Sequence, residues 1–218
     1  MTRKETLFYF IIGAVNIAAG IADIDWLNYL TKPLLMITLG IFYFLKTKEN
    51  LTLQDKIMLT ALLFSCFGDT FLMLLWQNPN FFLFGLGSFL LAQISYTVIF
   101  HKESKPQYYK RIPFLLYTVV LVNILMSAIP KDFKIPIYAY SLAITLMGIK
   151  AMERLTNSKS YLFVLVGAIT FIASDSLIAI NKFAFDIPFA GVWIMATYIV
   201  AQYLIVEGML LGRKKLHD

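Results

Sequence analysis

The stretch 64–74, FSCFGDTFLML, sets one aspartate, Asp69, in the middle of an apolar run. A carboxylate in hydrocarbon costs about 2.5–3.5 kcal/mol on insertion scales, and such residues usually face a bundle interior and serve a function. Whether this run lies in a membrane therefore decides both the fold and the meaning of Asp69. The composition answers the first question. Of 218 residues, 59% are hydrophobic and only 15% are charged, against about 45–50% and 25% in soluble domains.

Outward from Asp69, apolar runs recur at 6–22, 27–45, 57–76, 81–100, 112–129, 135–152, 161–180 and 187–211. Each is long enough to cross a bilayer, which takes roughly 20 residues. The breaks carry turn and polar residues, as in QNPN at 77–80, HKESKPQYYKR at 101–111 and PKDFK at 130–134. The expected fold is all-α: a single polytopic domain over 1–218 with eight transmembrane helices and no room for a soluble domain. Arg3 and Lys4 precede the first run, and AAGIA at 18–22 has the small residues of a cleavage site. The even helix count favours an uncleaved first helix.

Basic residues alternate between loops. One side holds Arg3, Lys4, Lys46, Lys48, Lys56, Lys102, Lys105, Lys110, Arg111, Lys150, Arg154, Lys159, Arg213, Lys214 and Lys215. The other has Lys131, Lys134 and Lys182. The positive-inside rule then puts both termini in the cytoplasm, with a cell inner membrane as the expected location. The net charge of +6 is explained by these loops, so no nucleic-acid partner is expected. The lone Cys66 offers no disulfide or thiolate metal set. With His101 and His217 at a span end and the C-terminus, no metal and no cofactor are expected.

The chain also reads as two parallel four-helix repeats, 1–105 and 106–218. GDTFLML at 68–74 matches SDSLIAI at 174–180, and GSFLLAQISY at 87–96 loosely matches GVWIMATYIVAQ at 191–202. KPLL at 32–35 has its counterpart in KIPIYAY at 134–140. Under this topology Asp69 and Asp175 lie at similar depth, about 10 Å below the outer surface at roughly 1.5 Å per residue. Lys32, Asn181 and Lys182 sit near that surface, while Gln93, Tyr96, Tyr198 and Gln202 lie deeper and could floor a shared cavity.

Each of these residues also has a structural reading. Buried aspartates can dock helices, for instance Asp69 against Lys32. Lys32 can snorkel to the interface, and tyrosines and glutamines can serve as packing or helix glue. Two carboxylates in one dry cavity cannot both ionise easily, so such a pair divides into an acid and an anionic partner. That suits acid-catalysed cleavage of an ether or acetal, or a proton-coupled transporter or lipid-binding permease.

TKPLLM at 31–36, GDTFLML, GSFLLAQISYTVIF at 87–100, SDSLIAINKF at 174–183 and YIVAQYLIV at 198–206, in order along nearly the whole chain, resemble the YhhN-type lysoplasmalogenase family. The resemblance implies an eight-helix membrane hydrolase that cleaves the vinyl ether of lysoplasmalogens to a fatty aldehyde and glycerophosphoethanolamine or glycerophosphocholine. It implies a lysophospholipid substrate held in the bilayer, with Asp69 and Asp175 as catalytic residues. Lys32, Gln93, Tyr96, Asn181, Lys182, Tyr198 and Gln202 would bind the substrate. One departure stands out, since relatives in this family commonly carry histidine where this chain has Gln93. Glutamine cannot carry a proton at neutral pH, so a relay must bypass it.

Overall fold

The computed structural model describes residues 1–213; Lys214, Lys215 and His217, counted above, lie outside the described residues. The described chain is all-helical. Its helices are α1 Arg3–Ile21, α2 Asp25–Thr47, α3 Leu53–Met73, α4 Phe81–Lys102, α5 Tyr108–Met126, α6 Lys131–Met152, α7 Ser158–Phe183 and α8 Ala190–Arg213, with one 3-10 turn at Lys48–Asn50. All eight are long and apolar enough to cross a membrane. Hydrocarbon offers no hydrogen bonds, so each apolar run must close its backbone bonds on itself, and the helix does this.

Helix starts follow the local chemistry. Thr2 and Glu5 form a capping box on α1, and Thr52 and Asp55 form another on α3, each satisfying two backbone N–H groups that the first turn leaves open. Asn157 caps α7 through the Ser160 N–H at 2.8 Å. Pro33, Pro113 and Pro136 sit inside α2, α5 and α6 without ending them.

The chain divides into two compact units, the first Met1–Ile99 and the second beginning at Phe100. In the first, α1 packs on α2 and α2 on α3. A salt bridge of 3.2 Å from Lys46 to Glu5 joins the end of α2 to the start of α1. Glycines set the α3 and α4 contact. A Cβ on Gly68 would lie 2.6 Å from the Phe89 ring, and one on Gly85 would lie 2.8 Å from the Leu72 side chain. Phe89 pairs with Gly68 and Gly85 with Leu72, so the helices run antiparallel at close range.

In the second unit α7 packs on α8, α6 on α7 and α5 on α6. Gly208 of α8 and Gly167 of α7 allow that closest pair; a Cβ on Gly208 would lie 2.6 Å from the Val164 side chain. The loop end of this unit is tied by charge. Glu153, fully buried, accepts from Arg111 Nε at 2.6 Å, Lys150 Nζ at 2.8 Å and the Gln107 N–H at 3.0 Å. Arg154, 2% exposed, donates to Glu103 and to the Ser160 hydroxyl.

Candidate functional site

In the first unit Asp69 is 3% exposed on α3, directly after the glycine that receives the Phe89 ring. Tyr9 of α1 and Tyr96 of α4 are both fully buried. Tyr9 lies within electrostatic reach of Asp69 on α3 and of Tyr96 on α4. Tyr9 was not legible as a site residue, because a single tyrosine in an apolar helix reads as packing. The available signal was its face: Tyr9 and Asn16 stand seven residues apart, two turns along the same side of α1. Both are buried.

Gln93 lies on the same face of α4, one turn before Tyr96, and is fully buried. Neither end of its side-chain amide has a hydrogen-bond partner among the described residues. A buried polar group left this way costs about 1–3 kcal/mol, so Gln93 requires an explanation beyond packing.

Lys32 is half-buried on α2 and forms no ion pair among the described residues. The alternative reading, docking of Lys32 on Asp69, is thus absent there. Its long stem beside Pro33 can carry the ammonium toward the helix end, which is the snorkelling alternative. A different carboxylate plays the docking part. Asp55, 1% exposed, accepts from the Tyr43 hydroxyl at 2.7 Å and from the Thr52 N–H at 2.7 Å. Its T-x-x-D capping pattern was readable in the sequence, but its burial against α2 was not.

In the second unit the segment Ser174, Asp175 and Ser176 spreads over three neighbouring helices. Ser174 donates to the Ile194 carbonyl of α8 at 3.0 Å. Asp175, half-buried, accepts from the Tyr140 hydroxyl of α6 through Oδ2. The Ser176 hydroxyl bonds that of Tyr117 on α5. Tyr140 belongs to the stretch 134–140 quoted above, yet nothing in its spacing marked it as a partner of Asp175.

The other expected residues of this unit differ in role. Tyr198 is 3% exposed and stands edge-on to Phe171, ring centroids 5.7 Å apart, while Gln202 is fully buried on the same face of α8. Asn181 turns the chain: its Oδ1 accepts from the Ile187 N–H at 2.8 Å and folds the connection to α8. That connection contains Phe189 at φ 56, a left-handed backbone unusual for a bulky residue. Lys182 is exposed, its ammonium 5.8 Å from the Phe183 ring centroid. Among the described residues no group of three or more His, Cys, Asp or Glu stands close enough to hold a metal ion.

Eight membrane-length helices with ionisable groups inside the spans define a multi-pass integral membrane protein with a polar interior. More particularly, the chain belongs to the YhhN family, whose model matches residues 27–209. It is 28% identical to Lysoplasmalogenase TMEM86A of Bos taurus over 235 residues, covering 99% of this chain and 89% of that protein. The same protein of Homo sapiens is 28% identical over 226 residues, 97% of this chain and 88% of its own. A Lysoplasmalogenase of Mycobacterium tuberculosis is 31% identical over 169 residues, 74% of this chain and 63% of its own. No solved structure matches the chain.

Proposed function

We propose that this chain is a membrane hydrolase that cleaves the vinyl ether bond of lysoplasmalogens to a fatty aldehyde and a glycerophosphoethanolamine or glycerophosphocholine. The observation that carries the reading is a carboxyl group, Asp69, buried inside a span of a chain whose full-length relatives bear the name lysoplasmalogenase. An intramembrane carboxylate is expensive, and function is its usual reason.

A vinyl ether hydrolyses when its terminal carbon accepts a proton. The resulting oxocarbenium ion is captured by water as a hemiacetal, which loses the glycerol oxygen as an alcohol and leaves an aldehyde. The carboxyl groups of Asp69 and Asp175 supply this chemistry: a protonated one delivers the proton, and an ionised one stabilises the cation and accepts a proton from water. Tyr140 holds the Asp175 carboxyl, and Tyr9 lies within electrostatic reach of Asp69. Lys32 and Lys182, near the helix ends, meet the phosphate, while Gln93, Tyr96, Tyr198 and Gln202 bind the polar part of the lipid. Asn181 contributes by shaping the loop before α8.

The test is direct. Purified protein in detergent or nanodiscs is incubated with lysoplasmalogen, and released aldehyde is measured. Aldehyde from the parent protein, with a drop of about 10²–10⁴-fold in Asp69→Asn, supports the reading. No aldehyde from well-folded parent protein overturns it.

A further inference from the structure

The side-chain amide of Gln93 is fully buried and has no partner at either end among the described residues. Its place follows from the α3 and α4 register. With Gly85 beside Leu72 and Phe89 beside Gly68 in antiparallel helices, one further turn along α4 sets Gln93 level with Phe64 and Ser65, between one and two turns from Asp69. Ser65 is itself fully buried. The amide thus lies along the same α3 and α4 contact as the candidate acid, fully buried, with two N–H donors and one carbonyl acceptor to satisfy.

A single atom that both donates and accepts fits that pair of ends: a hydroxyl oxygen. An ether or ester oxygen only accepts, and leaves the amide carbonyl unmet. We infer that Gln93 receives the free glycerol hydroxyl of a single-chain glycerophospholipid, accepting its O–H through the carbonyl and donating N–H to its oxygen. This rests on the proposed reading of the substrate as a lysolipid, and it assigns to one residue the preference for a lipid with one chain. A second acyl group would replace the donor with an ester oxygen, which only accepts. A site built to bond a hydroxyl discriminates strongly against the analogue that lacks it, because the protein group is then left unpaired.

The test measures binding, so that it does not depend on catalysis. The probes are a saturated 1-O-alkyl lysophospholipid, which has no vinyl group to cleave, and its 2-deoxy analogue, in which hydrogen replaces the hydroxyl. Apparent dissociation constants come from ligand-dependent thermal stabilisation of the protein in nanodiscs. The parent protein should bind the hydroxyl probe at least about tenfold more tightly. Gln93→Leu, of similar volume and apolar, should bind the two within about twofold of each other. Should Gln93→Leu not fold, Gln93→Met keeps the unbranched shape and takes its place.

Equal binding of both probes by the parent protein overturns the assignment and gives the amide to bound water. Undiminished discrimination in the variant also overturns it, because the hydroxyl is then read elsewhere. Aldehyde release is scored separately. A parent protein that discriminates between the probes yet releases no aldehyde sinks the hydrolase reading and leaves the hydroxyl assignment standing.

Discussion

Tyr140 on α6 donates its phenolic hydroxyl to Oδ2 of Asp175 on α7. A hydrogen bond to a charged group is worth about 1.5–3 kcal/mol, and each 1.4 kcal/mol or so carried into the transition state is tenfold in rate. Tyr140→Phe should therefore lower kcat by roughly tenfold with little change in KM. A rise in KM alone would mean that Tyr140 serves substrate binding instead.

Asp69 and Asp175 are proposed to act as one catalytic unit. Losses within such a unit are far from additive. Asp69→Asn and Asp175→Asn should each cost about 10²–10⁴-fold in turnover, and the double variant should be scarcely worse than the weaker single one. Multiplying losses would point to independent roles. Near-normal turnover in one single variant would demote that aspartate to helix docking.

Glu153 predicts an acid sensitivity that has nothing to do with the chemistry. Burial tends to raise its pKa, but the hydrogen bonds from Arg111, Lys150 and the Gln107 amide outweigh it and hold the carboxyl at about 2, below its ordinary 4.5. The unfolded chain thus takes up this proton first as pH falls. The stability contributed is complete above about 4.5 and is lost between about 4.5 and 2. Thermal unfolding in detergent should show the loss over that window. Glu153→Gln should be less stable than the parent at pH 6 and flatter below pH 4.5. Parallel pH profiles for the two proteins would refute the assignment.

Loop charge predicts the orientation. A reporter active only outside the cytoplasm should give signal when fused after Asn78, in the α3 to α4 connection, and none when fused after Lys105, in the α4 to α5 connection. The reverse pattern would invert the membrane orientation and move Asp69 to the cytoplasmic half.

The eight spans were legible because hydropathy over 20 residues leaves little choice of fold, and Asp69 and Asp175 were legible because charge in such a span is conspicuous. Their tyrosines were not. Tyr9, Tyr117 and Tyr140 are amphipathic residues that suit any membrane helix, and only the packing of α1, α5 and α6 gives their hydroxyls meaning. Asp55 and Glu153 hid for a different reason: both lie at span ends, where a carboxylate reads as solvated. The structure buries them against Tyr43 and Arg111. Asn181 and Lys182 were legible only as polar residues closing the seventh span, and Asn181 folds the loop through the Ile187 N–H.

The fan of bonds from Ser174, Asp175 and Ser176 also has a mechanical meaning. Successive helical residues point about 100° apart, so these three side chains grip α8, α6 and α5 from three sides of one turn. A rod pinned at three bearings cannot spin. Any rotation of α7 about its own axis would break all three hydrogen bonds together, whereas moving α5 would touch, of these three, only the Ser176 link. Any lateral opening that admits a lipid within this unit must therefore move neighbouring helices about α7 as the fixed post.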